Sequence, residues 1–194
     1  MWTPEQFAAD FKKRWEGGLS LDRDDRGNWV GQKLIGSKYG VTAAALARFR
    51  NVPVSSITAK QMADLTLDEA GRIALSLYYY GTGIDKLPWG PVAAAVFDFA
   101  YNAGVKRAAL TIQEVVGAYA DGIIGSKSVA AFDKALGRHG EAKLADVFAD
   151  ARIQFYTEIA PEGSKNRRFL NGWKNRANYF RPNNSEGWWA RFRG

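Results

Sequence analysis

Two groups of carboxylates stand out by type and spacing. Glu16 precedes Gly17-Gly18, and Asp22-Arg23-Asp24-Asp25-Arg26-Gly27 follows it, with Asp25 nine positions after Glu16. Cleavage of a glycosidic bond needs one protonated carboxylic acid and one ionised carboxylate across the scissile bond. Glu16 suits the first role. It falls at the C-terminal end of an amphipathic pattern, where the helix dipole disfavours negative charge and raises a carboxyl pKa. Arg23 and Arg26 can keep a neighbouring aspartate ionised. Taken alone, Glu-Gly-Gly also reads as an exposed glutamate before a glycine cap, and the Asp/Arg run as a solvated loop.

Composition removes the competing chemistries. There is no cysteine and one histidine, His139, among 194 residues. A Cys-His nucleophile is impossible, and one histidine cannot make a zinc site. No metal and no organic cofactor is expected. No stretch approaches the length of apolar residues that spans a bilayer. The N-terminus, Met1-Trp2-Thr3-Pro4-Glu5, lacks a basic-then-apolar leader. The expected localisation is the cytoplasm unless something else releases the protein.

The elements that must position the carboxylates are mostly helical. Thr3-Pro4-Glu5-Gln6 reads as a capping box, and Phe7, Phe11 and Trp15 form one apolar face. Residues 19 to 41 hold four glycines and short extended pieces, Leu19-Ser20-Leu21 and Trp29-Val30, and predict a small hairpin or irregular lobe. Thr42 is expected to cap a helix over 43 to 50. Thr58 and Thr66 open two further capping boxes, the second leading a helix to about Tyr80. Pro88 or Pro91 starts an apolar helix, Val92 to Tyr101. Others are expected over 105–116, 127–136 (capped by Ser126), 141–159, 166–178 and 186–192. The fold class is therefore mainly α: a helical domain with a small irregular or β-hairpin lobe. The expected organisation is a catalytic region over 1–90, a helical region over 91–180 in the same globular body, and a basic tail over 181–194.

Four motifs in order carry a family resemblance. The first is the helix, Glu16-Gly17-Gly18, the Asp-rich turn and Ser37-Lys38-Tyr39-Gly40-Val41-Thr42. The second is Asp98 and Asn102 before Gly104. The third is Ile112-Gln113, Gly117, Asp121-Gly122 and Gly125. The fourth is Gly172-Trp173 with Asn175-Arg176. Together they resemble glycoside hydrolase family 108, the phage and prophage N-acetylmuramidases, over residues 5 to 178. The resemblance implies a lysozyme-like fold and hydrolysis of the β-1,4 bond between N-acetylmuramic acid and N-acetylglucosamine by an endolysin, held in the host bacterial cytoplasm and released to the periplasm and cell wall at lysis. It implies Glu16 as the acid, Asp25 as its partner carboxylate, and Ser37, where the family has threonine, as the holder of the hydrolytic water. The segment Arg26 to Gly36 is longer than the family's tight Pro-Gly-Gly-Ala, so Asp24 or Asp22 stays open as the working carboxylate.

Tyr39, one ring of Tyr78-Tyr79-Tyr80 (Tyr79), Asp98 and Asn102 are the candidate substrate contacts. For Asp98 and Asn102, one helical turn apart on an apolar helix, mutual hydrogen bonding is the competing role. Asp121 to Gly125 reads as a turn before a helix, with glycan contact as its functional alternative. The formal net charge of +7 lies wholly in residues 165 to 194, where eight basic side chains face the single acid Glu186. With Arg181, Trp188, Trp189, Arg191 and Arg193 this tail suits an anionic outer-membrane surface. The competing reading is a cationic segment packed on the body by its tryptophans. Peptidoglycan is the expected partner, nucleic acid is not, and a monomer is expected. The alternative activities are a lytic transglycosylase, or a non-catalytic wall-binding or membrane-permeabilising protein.

Overall fold

The computed structural model describes residues 2–15, 17–185 and 187–191. The chain is mainly α, with eight α-helices and small antiparallel sheets among the described residues. It divides into two compact units, Thr3–Gly81 and Thr82–Gly194 with Met1–Trp2.

In the first unit, helix α1 (Pro4–Trp15) starts at Thr3, whose amide donates to Gln6 Oε1 at 2.9 Å while its hydroxyl accepts from Gln6 N. Phe7, Ala8 and Phe11 are buried, and this face packs on α4 (Leu67–Tyr78). Thr42 caps α2 (Ala43–Arg50), which ends in a left-handed Asn51. Thr58 and Gln61 form a reciprocal capping box for α3 (Ala59–Asp64), and the Thr66 hydroxyl accepts from Glu69 N to start α4. Their inner faces bury Val41, Leu46, Met62, Leu65 and Ile73 in one core. Burying each such side chain stabilises the unit by roughly 1.5–3 kcal/mol before entropy is counted. Between α1 and α2 lies the lobe of five two-residue strands. β1 (Leu19–Ser20), β4 (Ser37–Lys38) and β5 (Val41–Thr42) form one antiparallel sheet, and β2 (Trp29–Val30) pairs with β3 (Lys33–Leu34).

In the second unit, α5 (Pro91–Ala103) is buried from Pro91 to Tyr101, as its apolar sequence on all sides requires. It packs on α6 (Val105–Val116) and α7 (Ser126–Glu158), and α7 also carries α8 (Leu170–Asn178). The two helices expected over 127–136 and 141–159 form one run broken at Gly140, whose φ of 74° is non-helical. Gly125, not Ser126, occupies the cap position of that run. Just past the break, Glu141 Oε1 accepts from Val92 N at 3.3 Å at the start of α5. Gly90 precedes α5 with no side chain to cap it, so this carboxylate supplies the acceptor. Burial pushes Glu141 above the ordinary glutamate range.

The centre of this unit is ionic. Asp98 on α5 is wholly buried, and its carboxylate accepts from Arg152 of α7 at 2.8 Å and from Arg176 of α8 at 2.8–3.0 Å. Arg152 also donates to Tyr156 OH, which donates on to Asn102 Oδ1 at 2.7 Å. The Arg152 guanidinium lies 4.9 Å from the Phe99 ring centre and 5.4 Å from that of Phe180. Three helices are thereby tied through one carboxylate. Burial alone would raise Asp98, but Arg176 and Arg152 outweigh it and hold the carboxyl below its ordinary range.

Within the tail, Trp188 is not placed for the expected envelope contact. Trp188 is wholly buried, its ring edge 5.2 Å from Trp2, and its amide donates to Tyr179 O at 3.0 Å. Arg181 pairs with Asp146 and Asp150 of α7. Trp189 is half-buried, and its Nε1 donates to Phe180 O at 3.1 Å. These side chains pack on the body of the unit. Arg193 and the side chain of Arg191 lie outside the described residues.

Two outcomes follow. Asp98→Asn should destabilise the unit by about 3–5 kcal/mol in denaturant unfolding, because it strands two buried guanidinium groups. The folded carboxyl is depressed, so its contribution is present above the ordinary aspartate pKa and is lost as pH falls through the folded value. The wild-type and Asp98→Asn stabilities should therefore converge in acid. Trp188→Ala should cost roughly 3–5 kcal/mol. An unchanged melting midpoint would return the tail to the role of a free arm.

Candidate active site

The carboxylate-bearing lobe belongs to the first unit and is built on backbone hydrogen bonds. β4 and β5 are joined by a two-residue turn in which both Tyr39 (φ 52°) and Gly40 (φ 71°) are left-handed. That is the turn whose twist matches paired strands, and it normally favours Asn-Gly over a tyrosine. Left-handed backbone at a tyrosine costs on the order of 1 kcal/mol and persists only where surroundings enforce it. The enforcing contact is visible: Tyr39 N donates to Gly17 O at 3.0 Å. One step along, Leu19 pairs with Lys38 and Ser20 with Ser37. The hairpin is thus pinned to the residue that follows Glu16. Glu16 itself lies outside the described residues.

Across the lobe, Asn28 is the organiser. It is wholly buried, its Nδ2 donates to Asp22 O at 2.9 Å, and its own carbonyl accepts from Ile35 N and Gly36 N at 2.8 and 2.9 Å. Gly36 must be glycine: its φ is +87° and a Cβ would sit 2.8 Å from Ser20 O. The three candidate aspartates take distinct places. Asp22 Oδ1 accepts from Asp24 N at 2.9 Å. Asp25 caps a short 3-10 turn, Arg26–Asn28, its Oδ1 accepting from Gly27 N at 2.8 Å. A Cβ on Gly27 would lie 3.1 Å from both Asp25 Oδ1 and the Thr42 methyl. Thr42 is the register partner of Ser37. The Asp25 turn thus lies near Thr42, while Asp22 N donates to the hydroxyl of Ser20, the other register partner of Ser37, at 3.5 Å. All three aspartates are exposed.

The family comparison follows this geometry. A model described as "Glycosyl hydrolase 108" matches residues 10–104, and one described as "Predicted Peptidoglycan domain" matches 107–178. The chain belongs to glycosyl hydrolase family 108. It is a glycoside hydrolase with a peptidoglycan-binding domain, and its partner is peptidoglycan. Among solved structures it is similar to "Structure of Brucella abortus SagA", 27% identical with a TM-score of 0.71, over 91% of this chain and 90% of that one. No curated protein matches it.

Within this family 108 chain, the expected substrate contacts divide. Tyr39 is half-buried at the hairpin tip, with Lys38 Nζ 5.2 Å from its ring centre. Tyr79 is buried at 4% exposure, because α4 ends at Tyr78 and the chain turns there. The outward ring is Tyr80, whose hydroxyl donates to Glu5 and lowers that carboxyl's pKa. Tyr80 lines a shallow groove with Phe49, Arg72 and Leu75. Asp98 is closed off from any ligand by its arginines, and Asn102 is half-buried against Tyr156. Asp98 and Tyr79 are thus placed as core, not as lining. Sequence reasoning missed Asn28, Thr42 as a lobe contact, and Tyr80. The Gly27-Asn28 pair marks a turn, but only the fold reveals the buried amide.

Asn28→Ala should remove the Asp22 hydrogen bond and cost about 1–3 kcal/mol. Peptidoglycan hydrolysis should fall further than the unfolded fraction explains, read by denaturant unfolding beside turbidity clearing. Full clearing activity with an unchanged midpoint would show that the lobe does not need this amide.

Proposed function

We propose that the chain hydrolyses the β-1,4 bond from N-acetylmuramic acid to N-acetylglucosamine, and that a phage uses this reaction to lyse its host. The observation that carries the assignment is the Tyr39 N to Gly17 O hydrogen bond, which anchors the Asp25- and Ser37-bearing lobe beside the residue next to Glu16. In this reading Glu16 protonates the leaving glycosidic oxygen. Asp25 orients the water that attacks the anomeric carbon, or steadies the oxocarbenium-like transition state. Ser37 holds that water. The bond from the anomeric carbon to the bridging oxygen breaks, water supplies the new hydroxyl, and its proton passes to the base. Asp25 is favoured over Asp22 and Asp24 by its spacing of nine positions from Glu16, and the Gly27 and Thr42 packing supports it by setting its turn near the Ser37 strand pair.

The test is a pair of isosteric substitutions. Glu16→Gln should reduce the rate on purified peptidoglycan by roughly 10²–10⁴-fold, the usual range for a lost general acid. Asp25→Asn should reduce it comparably, while Asp22→Asn and Asp24→Asn leave most of it. Retained clearing by Glu16→Gln would sink the assignment of the acid. A large loss with Asp22→Asn or Asp24→Asn alone would move the partner role to that residue.

A further inference from the structure

The loop from Gly117 to Gly125, between α6 and α7, presents two apolar side chains outward. Tyr119 is 86% and Ile123 71% exposed, the two most exposed large apolar residues among those described. A single exposed apolar residue needs no explanation, but a pair four positions apart on a rigid loop does. The rigidity comes from Gln113, which is 1% exposed and spends its whole amide on this loop. Its Oε1 accepts from Gly122 N at 2.8 Å. Its Nε2 donates to Asp121 Oδ1, Ile123 O and Ser128 Oγ at 2.8, 3.0 and 2.9 Å. Asp121 Oδ1 also accepts from Ile123 N at 2.8 Å, and these bonds hold the Asp121 carboxyl below its usual range. Gly122, at φ +80°, lets the turn lie against α6, where a Cβ would stand 2.9 Å from Lys106 Cγ. A buried amide fully satisfied by a surface loop fixes that loop's shape.

We propose that this loop is a glycan-binding subsite of the second unit, with Tyr119 and Ile123 as the residues that touch the sugar chain. The inference rests on peptidoglycan as substrate and adds which residues of the second unit hold the wall. The matched peptidoglycan domain, residues 107–178, contains the whole loop. N-acetylated sugars offer apolar C–H faces and methyl groups. A tyrosine offers a flat ring with two torsions to freeze and a polar hydroxyl for the wet side. Isoleucine supplies a stiff, branched surface for the acetyl and lactyl methyls. Because both side chains are outward and the loop is held from behind, ring and methyls are in place before the ligand arrives, which lowers the ordering cost of binding.

The experiment is co-sedimentation of the full chain with purified sacculi on ice, alongside turnover of a short soluble muropeptide oligomer. Tyr119→Ala/Ile123→Ala should lower affinity for sacculi about tenfold or more, the scale of a lost interface anchor. It should leave the melting midpoint and the soluble turnover unchanged. Tyr119→Trp should keep binding. Sacculi stripped of stem peptides by an amidase should give the same loss. Unchanged sedimentation of the double variant overturns the proposal. So does a loss confined to peptide-bearing sacculi, which assigns the loop to the stem peptide instead. A failure of the Glu16 assignment alters turnover, not sedimentation, so the two outcomes are distinguishable.

Discussion

Tyr39 N–H donates to the Gly17 carbonyl, and the rest of the lobe depends on that register. Strands two residues long carry little stabilisation of their own, and a slip of one residue would turn every side chain to the opposite face. The tether decides which face Ser37 takes, because Ser37 pairs with Ser20 on one side and Thr42 on the other. Thr42 then does two jobs. Its hydroxyl starts α2, and its methyl meets the turn that Asp25 caps. The strained left-handed Tyr39 is the cost of this arrangement.

The second unit depends on a different constraint, a buried carboxylate between two guanidinium groups. An ion pair in an apolar core gives specificity more dependably than stability, since its desolvation offsets much of the attraction. Asp98 selects one arrangement of α5, α7 and α8, because any other leaves a charge unpaired. Gln113 does the same for the Asp121 turn with a neutral amide. In both places the polar residue lies inside, so Asp98, which suggested ligand contact on sequence grounds, is core.

What was legible in the sequence follows from range. Helix starts are local, and Thr42, Thr58 and Thr66 sit where hydroxyl spacing puts them. The apolar helix after Pro91 is equally local, since its composition leaves no solvent face. The Glu-Gly-Gly turn, the aspartate run and the Ser-x-Tyr-Gly segment could be read as one site only through their order. The partners of Asp98 lie 54 and 78 positions away, beyond any periodicity. Asn28 carries no signal because its hydrogen bonds are to backbone groups that any sequence would supply. The Trp188-Trp189 pair misled, since tryptophan beside arginine suits both a membrane surface and a core edge. Burial of Trp188 against Trp2 required both ends of the chain.

Hydrolysis of one bond by a carboxylate-driven attack of water leaves a signature in its products, read by mass spectrometry of the fragments released from purified peptidoglycan in heavy-oxygen water. The fragments should end in reducing N-acetylmuramic acid, each carrying one heavy oxygen from solvent. Fragments ending in unlabelled anhydro-muramic acid, or in reducing N-acetylglucosamine, would contradict it.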